Sequence, residues 1–144
     1  MLYILKGIDP IISPELLKII MEMGHSDELV IGDGNFPAAS NAQRLVRLDG
    51  HGVPEILDAL LKLFPLDTYV EAPVGLMAVT PGDDVKPVIW DEYRRIIKER
   101  EGDHNIEMIE RFEFYERARK AYAIVATGET ALYANIILKK GVVK

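Results

Sequence analysis

Five consecutive residues, ELVIG at positions 28–32, restrict the fold of this chain more than any other stretch. The run is apolar after Glu28 and rich in β-branched residues, yet too short for a helix, which is the pattern of a strand buried on both faces. Such a strand needs packed layers above and below it, and the neighbouring segments have the periodicity to supply them. Upstream, ISPELLKIIMEMG reads as a helix: Ser13 caps it, Pro14 fits its first position, Glu15 suits its positive end and Gly24 supplies a left-handed stop. Its apolar face is expected at Leu16, Leu17, Ile20 and Met21 or Met23.

Downstream, QRLVRLD alternates as a half-exposed strand does. In GVPEILDALLKLFPLD, Pro54 and Pro65 bracket a helix whose Ile56, Leu57, Leu60, Leu61 and Phe64 form one stripe. GLMAVT reads as a strand, VIWDEYRRIIKERE as an amphipathic helix ended by EGDHN, and FEFYERARKAY, after IEMIER, as a short helix. Two strand-like runs, AIVAT and LYANIIL, flank the turn GET. Helices and buried strands alternate, which predicts a three-layer α/β architecture.

The chain has 144 residues, a length that fits one domain over 1–144 with a sizeable core. A net charge of −6 repels phosphate backbones and anionic lipid, so neither nucleic acid nor membrane is an expected partner. The absence of cysteine rules out disulfides, thiolate nucleophiles and Cys-ligated metal clusters. The N-terminal MLYILKGIDP has an apolar patch without a basic leader or cleavage site, and no window approaches the ~20 apolar residues of a membrane span, so a cytoplasmic protein is expected.

What remains is hydroxyl, imidazole and carboxylate chemistry. His25, His51 and His104 are scattered and no HExxH spacing occurs, so no metal site is expected. No glycine-rich phosphate loop follows a predicted strand either; GDGN reads first as a turn that needs Gly34 for backbone freedom, with Asp33 and Asn35 bonding their own backbone. His25 has two readings, an imidazole stabilising the helix end or the best general acid/base available near neutrality. Asp33 is either a turn residue or a ligand contact at the carboxyl end of a buried strand, where ligands gather in open α/β sheets.

Arg117 reads as a helix-face charge paired with nearby glutamates, and Arg111, between apolar residues at an element boundary, less readily so. Tyr115, Tyr122 and Tyr133 suit core positions with a partner for the hydroxyl. Asn135, inside the apolar LYANIIL, must bond a neighbouring loop or present its amide to a polar ligand. Together these groups suit a hydroxyl-rich small molecule.

EMGHSDE, RFEFYERA and ATGE followed by YANIILKKGV, with LKGIDPIISPELLKII, NFPA and DGHGVPEILDALLKLFPLDTYV, resemble the L-fucose mutarotase family of sugar-anomer isomerases, grouped with D-ribose pyranase. The likeness runs nearly end to end and is weakest over residues 72–108. It implies a cytoplasmic enzyme with a compact α/β/α fold around a mixed sheet, no cofactor, a monosaccharide substrate, and assembly into a ring-based homo-oligomer, often a decamer of two stacked pentamers. By motif it makes His25 the proton donor and Asp33, Arg111, Tyr133, Ala134 and Asn135 the substrate contacts. The fucose branch commonly has Gly where Ala134 stands and His where Asn35 stands, whereas RFEFYERA and KKGVV follow that branch; L-fucose is the first expectation and D-ribose the second. A non-catalytic sugar-binding accessory of uptake is the rival from another class, and His25 favours the enzyme.

Two further expectations concern geometry. Five strand residues span roughly 17 Å at ~3.3 Å each, so a straight β-run separates His25 from Asp33 unless HSDE folds back or neighbouring subunits share the site. The apolar C-terminal LYANIILKKGVV would favour self-association as an exposed edge, or else forms a central strand.

Overall fold

The computed structural model describes residues 3–144; Met1 and Leu2, which begin the apolar N-terminal patch, lie outside the described residues. Helix α1 (Pro14–Glu22) starts where the sequence sets it, with the Ser13 hydroxyl accepting from the Leu16 N–H at 3.2 Å. Its stop differs from expectation. Met23 leaves the helix in an extended conformation, Gly24 is not left-handed, and the positive φ, 78°, falls on Ser26. Its buried face is Leu16, Ile19 and Ile20, with Met23 beyond it, whereas Met21 points outward.

The ELVIG run is β1 (Glu28–Gly32), and its core residues are fully buried as predicted. It lies inside a six-stranded sheet of order β2-β5-β1-β6-β3-β4, with β2 (Leu45–Leu48), β3 (Val74–Met77), β4 (Ile106–Ile109), β5 (Ala123–Thr127) and β6 (Ile136–Lys139). Strands β1, β2 and β5 run parallel, β3 and β4 run parallel, and β6 lies antiparallel to both β1 and β3. The C-terminal apolar run is therefore a central strand, not an open edge. It is also shorter than LYANIIL, because residues 132–135 form the approach to it. IEMIER, given no element from its pattern, contributes the edge strand β4.

Successive residues of each strand face opposite layers, which divides the core in two. Leu29, Ile31, Val125, Ile136 and Leu138 pack under α1, α3 (Val53–Leu61) and α4 (Ile89–Glu101). Val30, Ile124, Ala126 and Ile137 pack under α2 (Ala38–Asn41) and α5 (Arg111–Lys120). The result is the three-layer α/β/α arrangement with a mixed sheet. The stripe expected along α3 is buried throughout, Phe64 included, although the helix itself ends at Leu61. No helix among the described residues is long and apolar enough to cross a membrane.

Three end contacts set the loops beside the strands. The Glu110 carboxylate caps α5, accepting from Phe112 N at 2.9 Å and Glu113 N at 3.2 Å, which makes Arg111 the first residue of that helix. Glu129 ties the loop after β5 to the start of α3, accepting from Val53 N at 3.0 Å. Gly34 is required by a close approach and not by a left-handed φ: its N–H donates to the Glu129 carbonyl at 2.8 Å, and a Cβ there would sit 3.0 Å from the same oxygen.

Candidate active site

Five strands share one direction, so their carboxyl ends lie on one edge of the sheet, and the reversed β6 begins on that same edge. Asp33 follows β1, Arg111 follows β4, and Tyr133 to Asn135 lead into β6. The topology thus gathers residues that are far apart in the chain. Asp33, Arg111, Tyr133 and Asn135 border one cavity of about 240 Å³, with Asn35, Phe36, Met77, Thr80, Asp83, Tyr115 and Leu132 completing its wall. That volume suits a ligand at the small end of the range, since drug-sized pockets run roughly 300–1,000 Å³.

Asp33 is 9% exposed. Its Oδ1 accepts the Asn35 N–H at 3.0 Å, as expected for this turn. Burial pushes its carboxyl pKa above the ordinary value; N–H groups of Asn35, Ala134 and Phe36 pull the other way, and the charge of Glu129 adds to the rise. A carboxylate so placed takes up a proton more readily than a solvated one.

Of the two readings its sequence position left open, Asn135 shows the bond to a neighbouring loop. Its Oδ1 accepts the Asp33 N–H at 2.7 Å, while among the described residues its Nδ2 has only the Met77 sulfur, at 3.8 Å, and the side chain borders the cavity. Ala134 is buried behind the wall, with its carbonyl accepting the Tyr93 hydroxyl at 2.8 Å. Desolvation drives the Tyr93 pKa far up, so that phenol stays neutral. Ala134 therefore shapes the site through its backbone.

Arg111 is exposed and has no ion pair among the described residues. Its guanidinium lies 4.9 Å from the Phe112 ring centre and 5.8 Å from that of Tyr115. The planar fork is consequently available to a ligand. Arg117 departs from expectation: instead of pairing along its own helix, it bridges Glu28 of β1 at 2.6 Å and Glu107 of β4 at 2.7 Å. It is a tie between α5 and the sheet.

His25 lies elsewhere. It precedes β1, at the sheet's other edge, where Ser26 N donates to the Lys140 carbonyl and Lys140 N to that of Asp27, each at 2.9 Å. HSDE thus stays beside the end of β6 and does not fold back toward Asp33. Nor does the imidazole serve the end of α1: its Nε2 is 2.9 Å from Asp67 Oδ1, and its ring centre lies 5.3 Å from that of Tyr69. The His25 side chain is 40% exposed and that of Asp67 1%.

Burial alone would raise the Asp67 pKa, but the Tyr69 N–H and His25 together hold it below the usual carboxylate value. An ionised Asp67 accepts only, so Nε2 carries the proton between them, and Nδ1 is the imidazole nitrogen left over by that pair. Asp67 escaped the sequence reading because FPLDTY looks like an ordinary helix-to-strand connection. The signal was an aspartate two residues after Pro65, next to the apolar Leu66.

Asp83 and Met77 were also missed, both in the stretch where motifs are weakest. Larger hollows exist, one of about 430 Å³ between α3 and α4 and one of about 720 Å³ beside the start of β4. Asp58 pairs with Arg100 in the first and Glu107 with Arg117 in the second, whereas the guanidinium of Arg111 at the smaller cavity has no ion pair among the described residues.

The chain matches the model of the RbsD / FucU transport protein family over residues 6–143. It belongs to that family. The L-fucose mutarotase of Actinobacillus pleuropneumoniae serotype 5b is 52% identical over 139 residues, covering 96% of this chain and 96% of that protein. The crystal structure of the fucose mutarotase from Streptococcus pneumoniae in complex with L-fucose superposes with a TM-score of 0.93 at 56% identity, covering 97% of this chain and 100% of that one. Bacillus subtilis RbsD complexed with D-ribose shares the fold, with a TM-score of 0.72 at 24% identity over 92% of this chain and 95% of that one. The resemblance seen in the motifs and the α/β/α expectation are both borne out.

Proposed function

We propose that this chain is an L-fucose mutarotase, interconverting the α and β anomers of the sugar. The carrying observation is the likeness to fucose mutarotases, one of them with L-fucose bound, over nearly the whole length of both chains. The cavity at the carboxyl edge supports it chemically. Donors on Arg111 and Asn135 face acceptors on Asp33 and Tyr133, and Phe36 and Tyr115 offer ring surfaces to the less polar side of a sugar.

Anomer exchange opens the cyclic hemiacetal by breaking the bond between anomeric carbon and ring oxygen, then recloses it on the other carbonyl face. The ring oxygen gains a proton as the anomeric hydroxyl loses one. His25, as an imidazolium whose Nε2–H is held by Asp67, delivers the first from Nδ1 and is left as the neutral imidazole. Asp33, its pKa raised by burial, receives the second. Reclosure returns both, so no cofactor enters the balance. Arg111 and Asn135 hold sugar hydroxyls in register, and such positioned acid/base groups contribute typically 10²- to 10⁴-fold.

The two proton carriers stand on opposite edges of one sheet, with the five residues of β1 between them. Five residues reach roughly 17 Å, well beyond one sugar ring. One site therefore forms where the carboxyl edge of one subunit meets the amino edge of the next. A head-to-tail contact closes into a ring when its rotation divides a full turn, and the reading takes this one to do so, in a ring-based homo-oligomer such as a decamer. Apolar side chains exposed at both edges suit that contact: Tyr69, 67% exposed, beside His25, and Phe112 and Leu132, 65% and 54% exposed, beside the cavity.

The 1–144 unit acts as one mutarotase domain, and cytoplasmic residence goes with this reading, since a chain without cysteine gains nothing from an oxidising compartment. Saturation-transfer NMR between α- and β-anomer signals tests the activity. Faster exchange of L-fucose with protein present supports it; enhancement confined to pyranose–furanose exchange of D-ribose points to the second substrate, and binding without exchange to a non-catalytic accessory.

A further inference from the structure

Tyr133 reaches the cavity from a left-handed backbone, φ 56°, a conformation that L side chains adopt only when their surroundings enforce it. Two contacts enforce it. The Trp90 indole Nε1–H donates to the Tyr133 carbonyl at 2.8 Å, fixing the backbone from α4. The Tyr133 hydroxyl donates to Asp83 Oδ2 at 2.7 Å and accepts the Thr80 N–H at 3.3 Å, fixing the phenol from the loop after β3.

Asp83 is itself held in position. Its N–H donates to the Thr80 carbonyl at 3.0 Å, and its Oδ1 accepts the Val85 N–H at 3.2 Å, so the turn around it aims Oδ2 at the phenol. Asp83, Thr80 and Tyr133 all border the cavity that holds Asp33, Arg111 and Asn135.

A phenol has one proton to give. With that proton committed to a carboxylate, the oxygen can meet a sugar only as an acceptor. We propose that Asp83 is a positioning residue of the sugar site, which fixes Tyr133 as a hydrogen-bond acceptor and thereby requires a donating hydroxyl from the substrate at that point. The inference rests on the sugar-site reading given above. It adds a polarity rule to that site: Arg111 and the Asn135 amide donate to substrate oxygens, and Tyr133 takes a substrate proton. It also gives residues 80–85 a role in substrate selection.

The test uses the full-length protein with three single variants and one double variant. Asp83→Ala is expected to raise the L-fucose concentration for half-maximal anomer exchange about three- to tenfold, the range for losing one oriented hydrogen bond, with the melting temperature unchanged. Asp83→Asn restores most of the loss, because its amide oxygen can still accept the phenol proton. In a Tyr133→Phe background, Asp83→Ala adds nothing further. An unchanged half-maximal concentration in Asp83→Ala, or a full additional penalty in the double variant, overturns the proposal. A second readout needs no sugar: with ¹³Cζ-labelled tyrosine, the resonance missing from Tyr133→Phe moves in Asp83→Ala, and a resonance that stays in place overturns the contact. Wild-type protein that exchanges no sugar would instead sink the mutarotase reading, leaving the labelled-tyrosine result to judge the Asp83 contact by itself.

Discussion

The imidazole of His25 and the carboxylate of Asp67 meet at 2.9 Å across 42 residues of sequence. Asp67 is the buried member, and its second oxygen has no hydrogen-bond partner among the described residues. The pair fixes which imidazole nitrogen carries the proton toward Asp67. Asp67→Asn, which removes the charge that holds Nε2–H, is expected to slow L-fucose exchange at least about tenfold in saturation-transfer NMR while leaving the fold intact. The pKa of Asp67 is lowered in the folded protein, so its contribution to stability is present above the ordinary carboxylate pKa and is lost as pH falls through the folded value. Between about pH 5 and pH 3, calorimetry should therefore show a smaller loss of melting temperature for Asp67→Asn than for wild type.

Asp33 works in the opposite sense. Its folded pKa is raised by burial, so the stability linked to it is fully present below the unfolded pKa and is lost as pH rises through the folded one. Asp33→Asn keeps an oxygen for the Asn35 N–H and removes the buried charge. The variant should melt higher than wild type at pH 7, match it more closely near pH 4, and exchange sugar far more slowly. A melting temperature at pH 7 below that of wild type would contradict the assigned burial cost.

Arg111 has no ion pair among the described residues and rests only against Phe112 and Tyr115. Arg111→Ala should leave the melting temperature within a degree or two and raise the half-maximal L-fucose concentration roughly tenfold or more, the scale of a lost charged hydrogen bond. Stability loss with unchanged sugar dependence would assign it a structural role.

Asn135→Ala removes the acceptor of the buried Asp33 N–H. The cost should be about 1–3 kcal/mol of unfolding free energy by denaturant titration, together with weaker sugar binding. A variant as stable as wild type would mean that another group satisfies that N–H.

The layered fold was legible because burial leaves a strong periodic trace. ELVIG and AIVAT could be covered strands and little else, and the helix of Ile56, Leu57 and Leu60 announced its stripe. IEMIER at the sheet edge carried no such trace, since Met108 is exposed, the half-buried Glu107 pairs with Arg117 and only Ile109 is deeply buried. Gly24 was misread because a glycine after a helix looks like a left-handed stop, whereas Asp27 Oδ2 accepts its N–H at 2.7 Å and passes the positive φ to Ser26.

The same limit governs the site. Asp33, Arg111 and Asn135 stood out through strand ends, element boundaries and a polar residue in an apolar run. Asp67 and Asp83 act through partners 42 and 50 residues away, and nothing local to their segments encodes those contacts. The separation of His25 from Asp33 was foreseeable from strand length alone, and the pinning of HSDE by Lys140 removed the fold-back alternative.

Sharing of one site between subunits is tested most directly by complementation. His25→Ala chains, expected to be inactive, and Arg111→Ala chains, expected to be slowed at least about tenfold at L-fucose well below the half-maximal concentration, are co-expressed so that subunits mix and are assayed by saturation transfer at that low sugar concentration. If the carboxyl edge of one subunit meets the amino edge of the next, roughly a quarter of the contacts in randomly mixed rings pair an intact Arg111 with an intact His25, and exchange returns to about that fraction of wild type. Mixed rings no more active than either variant alone would mean that both residues are needed within one chain, and would contradict the account.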